Sequence, residues 1–315
     1  MSRPKVFVLN AYHPEAIKLL NESDVDVVLP GGDASWHQEA DGLLIRSETR
    51  ITENDLALAR KLKVIVKLGS GVDNIDLKAA KNHGVAVCNT AAINSEAVAE
   101  LTMTLALCVS RRVVEMDRML LRGRKLVRSS LLGQSLHRKV VGIVGMGNIG
   151  RAVAKKWIGA MEGSIVAYDP FVPNGAWEDI HYRRVVDLDE LLRASDVLTL
   201  HVPLTDVSRG LIGKRELGLM RRHAILVNCA RGGIVDEEAL LDALEAKQIF
   251  GAALDAPVTD PPTVKAYNQL LAVDNCIITP HVGGSTEENQ AASGKLAVEQ
   301  ILAVLNGEQV DNRVV

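Results

Sequence analysis

The chain has 315 residues, of which 47% are apolar and 24% charged, with 36 basic against 39 acidic side chains. At ~100–200 residues per domain, that length suggests two domains, each large enough for its own core. A formal charge of −3 gives no bulk electrostatic reason to seek nucleic acid or an anionic membrane, and no apolar run approaches the ~20 residues needed to span a bilayer. Near the start, Val6-Phe7-Val8-Leu9 is too short for a signal-peptide core, so a cytoplasmic location is expected. Cys88, Cys108, Cys229 and Cys276 are scattered without a C-x-x-C pair, which argues against a disulfide framework or a structural zinc site. No metal is expected.

In chain order, β-branched runs predict strands at Val6–Leu9, Val25–Leu29, Gly42–Ile45, Val64–Lys67 and Val85–Cys88. Amphipathic segments such as Pro14–Asn21 and Glu53–Leu62 lie between several of them. Asn94 or Ser95 can cap a long apolar-rich helix from Ala97 to about Val114 that bridges the two lobes. After residue 138 the rhythm restarts, with strands at Val140–Val144, Ile165–Tyr168, Val197–His201, Ala224–Asn228, Gly251–Leu254 and Ile277–Ile278. Ser285-Thr286-Glu287-Glu288 has capping-box spacing for a last helix to about Leu305, stopped by Asn306-Gly307, with no strand after it. Near-continuous apolar strands separated by helices mean parallel sheets covered on both faces. Two such series predict an α/β protein with two doubly wound domains. One comprises 1–98 plus 285–315 and binds substrate. The other, 99–284, is a Rossmann dinucleotide-binding domain.

The strand Val140–Val144 runs into Gly145-Met146-Gly147-Asn148-Ile149-Gly150 and then a helical stretch. G-x-G-x-x-G alone is a weak signal, but here it sits between a buried strand and a helix start, where the mechanism needs it. Gly145 permits the tight turn, Gly147 lets a pyrophosphate approach the backbone, and Gly150 lets the helix pack on the sheet. The anion then meets unpaired amides at the positive end of the helix. Asp169 follows the next strand, 19 positions past Gly150, close to the ~20 expected of the acid that binds the adenosine ribose. Its carboxylate repels a 2′-phosphate, and Pro170-Phe171 supply no arginine in its place. The cofactor is therefore expected to be NAD rather than NADP.

Further segments fall at carboxyl ends of predicted strands, where open α/β sheets bind ligands. They are His201-Val202-Pro203, Asn228-Cys229-Ala230-Arg231-Gly232-Gly233, Leu254-Asp255 through Asp260-Pro261-Pro262, and Thr279-Pro280-His281-Val282-Gly283-Gly284. Together with Lys67-Leu68-Gly69-Ser70-Gly71-Val72-Asp73 and the run from Asn89-Thr90 to Ala99-Glu100, their order and spacing resemble the D-isomer-specific 2-hydroxyacid dehydrogenases over essentially the whole chain. Within that family the flavour is that of the 3-phosphoglycerate dehydrogenases and the hydroxypyruvate/glyoxylate reductases. Because the sequence ends just past the last helix, no appended regulatory domain is expected.

The resemblance assigns Arg231 to the carboxylate and carbonyl of a 2-oxo acid, which a guanidinium can grip bidentately and polarise. It makes His281 the general acid–base, aided by a carboxylate that stabilises the charged imidazole. Relatives carry glutamate five positions after the strand-end aspartate, but here that position is Asp260. One methylene is lost, so either the loop approaches by ~1.5 Å or the hydrogen bond lengthens. Asp260 also suits a turn before two prolines, and Asp255 is the competing acid; in the family pattern Asp255 lies near the nicotinamide. The resemblance further implies cofactor contacts from Asn148 and Ile149 amides, His201, Pro203, Ser208 (where relatives have threonine), Cys229, Ala230, Arg231, His281, Gly283 and Gly284. No sequence feature argues for a thiolate at Cys229.

On the substrate side, the Ser70-Gly71-Val72 turn offers backbone amides to a carboxylate, as in similar enzymes. Arg46-Ser47 and Lys67 are placed to hold a second anion such as a phosphate, unless they are solvated surface charges. This favours 3-phosphoglycerate/3-phosphohydroxypyruvate, with hydroxypyruvate or glyoxylate as the alternative. The basic segment Arg111–Lys139 interleaves with Met119-Leu120-Leu121, Leu126-Val127 and Leu131-Leu132. In similar proteins this region embraces a twofold partner, which implies a homodimer rather than a nucleic-acid patch. A non-enzymatic reading also stands, since some relatives with this fold are NAD-responsive corepressors; the lack of low-complexity tails counts against it. A formate-oxidising reading requires glutamine at the position of Asp260, and the acid there argues against it.

Overall fold

The computed structural model describes residues 3–31, 35–173 and 175–315. The chain divides into two compact units, Met1–Asn94 with Gly284–Val315, and Ser95–Gly283. The sequence suggested breaks after 98 and 284; the helix that begins at Ser95 belongs whole to the second unit.

The first unit opens with β1 (Lys5–Val8), α1 (Pro14–Asn21), β2 (Asp26–Val28), α2 (Trp36–Glu39) and β3 (Gly42–Ile45). It continues with α3 (Glu53–Leu58), β4 (Val64–Lys67), α4 (Leu77–Asn82) and β5 (Ala86–Asn89). The strands are parallel, in the order β2-β1-β3-β4-β5, the flavodoxin-like arrangement. Alternate residues of each strand serve opposite faces, and both faces are covered. Phe7, Leu43, Ile45, Ile65 and Val87 pack in one core, and Val6, Val8, Leu44, Val64 and Val66 in the other. That double burial explains the unbroken apolar runs.

The second unit begins with α5 (Ser95–Ser110), α6 (Val113–Leu121), β6 (Val140–Val144), α7 (Asn148–Met161), β7 (Ser164–Tyr168) and β8 (Arg183–Val185). There follow α8 (Leu188–Ala194), β9 (Val197–Leu200), α9 (Lys214–Leu219), β10 (Ile225–Asn228), α10 (Glu237–Glu245), β11 (Gly251–Leu254), α11 (Val264–Ala272) and β12 (Cys276–Ile278). Seven parallel strands run in the order β12-β11-β10-β9-β6-β7-β8. The order reverses between β6 and β9, the place where a doubly wound sheet opens a ligand crevice at its carboxyl edge. Helix α5 covers one face, packing on α7, β10 and β11.

Several elements differ from the sequence expectation. The long helix stops at Ser110, because the amide of Gln134 takes the Ser110 carbonyl (2.7 Å) and Arg112 turns left-handed (φ 56°) before α6 begins. Helix α3 ends at Leu58 rather than Leu62; Ala59 leaves the helical conformation, and Leu62 is buried in the core two residues before β4. Strand β8 carries two arginines in three residues at the sheet edge, so it lacks an apolar signature.

The last helix, α12 (Glu287–Leu305), returns to the first unit and packs on α1, β3 and β4. Thr286 caps it by accepting the Asn289 amide, so the residue three beyond the cap is Asn289 rather than an acid. After Gly307 the tail bonds β5: Val314 N–H donates to Val87 O (2.7 Å), and Val87 N–H to Val315 O (3.2 Å). The segment after the last helix thus makes an antiparallel bridge, Cys88 opposite Arg313, that shields the sheet edge. Among the described residues no helix is long and apolar enough to cross a membrane, and no group of three or more side chains could hold a metal ion.

Candidate active site

The glycine loop lies at the reversal of strand order in the second unit. Gly145 has φ +100°, and a Cβ there would meet the His201 carbonyl oxygen at 2.5 Å, so the ends of β6 and β9 approach at this point. A Cβ on Gly150 would overlap Gly145 O, which makes glycine the condition for seating α7 against the loop. Gly147 is different: a Cβ there would have no atom within 4 Å, and its φ of −74° is ordinary. Open space at Gly147 adjoins the first turn of α7, whose leading amides at Asn148, Ile149 and Gly150 have no partner within the helix.

Asp169 stands past the end of β7, and its carboxylate accepts backbone amides that the spacing does not predict. Its Oδ2 accepts the Met146 amide at 2.9 Å, and its Oδ1 accepts those of Phe171 (2.9 Å) and Val172 (3.3 Å). It therefore ties the glycine loop to the segment after β7. Arg184 of β8 donates to the backbone oxygens of Asp169 (2.8 Å) and Pro173 (2.9 Å), so its guanidinium serves the loop backbone. No sequence signal points to it, because β8 carries no apolar run.

The His201 ring is neutral, pushed down to about 3 by burial. Among the described residues neither of its ring nitrogens has a hydrogen-bond partner. A buried imidazole with one donor and one acceptor to spare, on the residue whose backbone carbonyl abuts Gly145, fits a polar ligand; these residues fit a dinucleotide. Pro203 is exposed, while the Ser208 hydroxyl is taken up by its own turn, donating to Pro203 O (2.6 Å) and accepting the Thr205 amide (2.8 Å). Cys229 and Ala230 are buried, and burial raises the Cys229 thiol to about 12, so no thiolate is available there.

Past β10, Asn228 shapes the turn that carries Arg231. Its Oδ1 accepts the Ala230 amide and its Nδ2 donates to Arg231 O, both at 3.0 Å. Arg231 is half-buried, and its Nη1 donates to Ala230 O at 2.7 Å.

Past β11, Asp255 is 1% exposed. Its Oδ1 accepts the Thr279 hydroxyl (2.7 Å) and the Val282 amide (2.9 Å), and its Oδ2 accepts the Gly283 amide (2.9 Å). These donors flank His281, which follows β12 with φ 56°. A left-handed residue other than glycine costs ~1–2 kcal/mol, and the bonds to Asp255 hold that conformation. His281 Nδ1 meets Asp260 Oδ2 at 2.6 Å, with roughly a third of each side chain exposed (35% and 39%). The shorter acid thus reaches without a lengthened bond, and the competing acid Asp255 faces the turn rather than the ring. Thr279 and Asn228 each open a strand-end motif, but only the structure shows what their side chains hold.

In the first unit, Arg46 and Ser47 follow β3, and Lys67 ends β4 opposite Ile45. Arg46 N–H donates to Asn10 Oδ1 (2.8 Å), and its Nη1 to Ala11 O (3.2 Å). The turn at Ser70-Gly71-Val72 is fixed by the Gly69 amide on Thr90 Oγ1 (2.7 Å), Asn89 Nδ2 on Ser70 O (2.7 Å) and Ser70 Oγ on Asn94 Oδ1 (3.1 Å). Gly283 closes the second unit, and Gly284 opens the return to the first.

A parallel sheet with a glycine cradle at its reversal point, an acid after the next strand and a buried histidine without a ring partner after β9 defines a dinucleotide-binding α/β protein. Residues 103–283 match the family model of the D-isomer specific 2-hydroxyacid dehydrogenase, NAD binding domain. The chain belongs to the D-isomer specific 2-hydroxyacid dehydrogenase family, and its second unit is that family's NAD-binding domain. It is 42% identical over 314 residues to a D-3-phosphoglycerate dehydrogenase of Methanocaldococcus jannaschii, covering 98% of this chain but 59% of that relative's length. A hydroxypyruvate reductase of Thermotoga maritima is 37% identical, over 97% of this chain and 99% of its own. A solved structure from Thermus thermophilus superposes with a TM-score of 0.89 at 36% identity, covering 99% of this chain and 100% of that one.

Proposed function

We propose that the chain catalyses NAD-dependent interconversion of a D-2-hydroxy acid and its 2-oxo acid. The observation that carries this reading is the 2.6 Å contact of His281 with Asp260, on the same sheet edge as the glycine cradle and Arg231. In the reducing direction Arg231 binds the substrate carboxylate and polarises the carbonyl. NADH, held by the glycine loop and the leading amides of α7, would supply the hydride to the carbonyl carbon. Asp260 Oδ2 accepts from Nδ1–H of His281, which leaves Nε2–H to donate its proton to the carbonyl oxygen. The Asp260 contact keeps the ring oriented. In the oxidising direction Nε2 takes the hydroxyl proton. Asp255 acts on this chemistry through the turn bearing His281.

Arg46, Ser47 and the buried Lys67, at neighbouring strand ends, support an anion site and hence a phosphorylated substrate, 3-phosphoglycerate/3-phosphohydroxypyruvate. A second reading, hydroxypyruvate reduction, is favoured by the relative matched over 99% of its own length. NADH oxidation with a panel of 2-oxo acids separates the two, and no turnover with any of them would leave only an NAD-binding role. Arg46→Ala should raise KM for 3-phosphoglycerate at least tenfold, about 1.4 kcal/mol, and leave unphosphorylated hydroxy acids little changed. An equal effect on both would remove the phosphate argument. A homodimer formed through the 111–139 segment, in the cytoplasm, completes the proposal.

A further inference from the structure

We propose that Glu237 and Tyr267 are positioning residues that hold the loop bearing Asp260 against His281; this rests on the reading of that pair as the proton-exchange pair. The chain between β11 and α11 has no regular structure, and Val258, Thr259 and Asp260 are all exposed. Such a segment is ordinarily mobile, yet a 2.6 Å contact made by an aspartate requires the backbone to stay close, since a glutamate would reach one methylene further.

Two side chains from outside the loop supply the constraint. Glu237, in the first turn of α10, accepts the Val258 amide on Oε1 at 2.8 Å. Tyr267, rooted in the core of the second unit at 4% exposed, accepts the Thr259 amide on its hydroxyl oxygen at 2.7 Å. The hydroxyl in turn faces Glu237 Oε1 at 3.5 Å. The two consecutive amides just before Asp260 are thus both anchored to helices. Beneath them, a Cβ on Gly232 would meet Pro257 O at 2.5 Å, so the loop also rests on the turn that carries Arg231. The acid, its loop and the arginine turn are therefore held in one frame. Burial, with the Glu237 carboxylate beside it, pushes the Tyr267 hydroxyl up, which keeps it protonated while it accepts.

The test uses the full chain and follows NADH oxidation with hydroxypyruvate and with 3-phosphohydroxypyruvate. Tyr267→Phe and Glu237→Ala should each lower kcat about tenfold, with the Kd for NADH unchanged. Glu237→Gln, which keeps an oxygen for the Val258 amide, should stay near the parent. In an Asp260→Asn background the same substitutions should cost nothing further, because they act through Asp260. Asp260→Glu, with its longer reach, should restore most of the kcat lost in Tyr267→Phe. An equal loss with and without Asp260, or no loss where Asp260→Asn itself is impaired, would overturn the inference and leave the proton-exchange reading standing. Full turnover in Asp260→Asn would overturn both. Should Glu237→Ala not fold, Tyr267→Phe, which keeps the ring in its core site, decides the same question.

Discussion

A carboxylate with three donors on two oxygens is a structural device, and Asp255 is one. It was legible in the sequence as an acid at a strand end, but not as the anchor of the turn around His281. Spacing marks where a residue stands and is silent about which amides it will accept. Replacing Asp255 with alanine leaves the Val282 and Gly283 amides and the Thr279 hydroxyl without their acceptor. The expected cost is on the order of 2–4 kcal/mol, read from urea unfolding, with a loss of kcat as the left-handed turn relaxes. The glycine loop allows a cleaner separation. Gly147→Ala adds a methyl group into open space at an ordinary φ, so thermal unfolding should be unchanged while the Kd for NADH rises at least tenfold, about 1.4 kcal/mol. Unchanged NADH affinity would place the pyrophosphate elsewhere.

At the scale of elements, the buried parallel strands were the most readable part of the sequence. Gly42–Ile45, Val64–Lys67, Val140–Val144 and Gly251–Leu254 form where their apolar runs stand, because burial on both faces leaves no other pattern. What could not be read was set by tertiary contacts. The end of α5 depends on Gln134, β8 depends on a neighbouring strand for its pairing, and the C-terminal tail depends on the free edge of β5. The same holds for Glu237 and Tyr267, whose hydrogen bonds to the Val258 and Thr259 amides run from helices to an irregular loop.

Asp196 is a further tie between elements, and it titrates. Burial raises its carboxyl, but the Val140 amide, His223 and Arg221 outweigh that and hold it below the ordinary value of 3.8. A carboxylate lowered in the folded state contributes stability above its unfolded value, and that contribution is lost as pH falls through the lowered one. Asp196→Asn should therefore cost roughly 1–3 kcal/mol near neutral pH. The gap from the parent should narrow once pH drops below 3.8. A gap constant across that range would mean that the ionised form of Asp196 contributes nothing.

At the scale of the whole molecule, two parallel sheets each bring their candidate site residues to strand carboxyl ends, the first with Arg46, Ser47 and the Ser70 turn, the second with the cradle, Arg231, Asp260 and His281. The segment after α5 leaves Leu120, Leu121, Val127 and Leu132 more than half exposed, apolar residues that the proposed homodimer would bury. Sedimentation at micromolar concentration should give a dimer, and Leu121→Glu should weaken it; a parent that sediments as a monomer would contradict this assembly.

The chemistry meets its most direct test in His281→Ala, with turnover of 3-phosphohydroxypyruvate or hydroxypyruvate and NADH binding measured on the same preparation. Loss of the proton donor should lower kcat by roughly 10²–10⁴-fold and leave the Kd for NADH within a factor of about two. Retained turnover would contradict the role given to the imidazole, and joint loss of turnover and NADH binding would show His281 to be a structural residue.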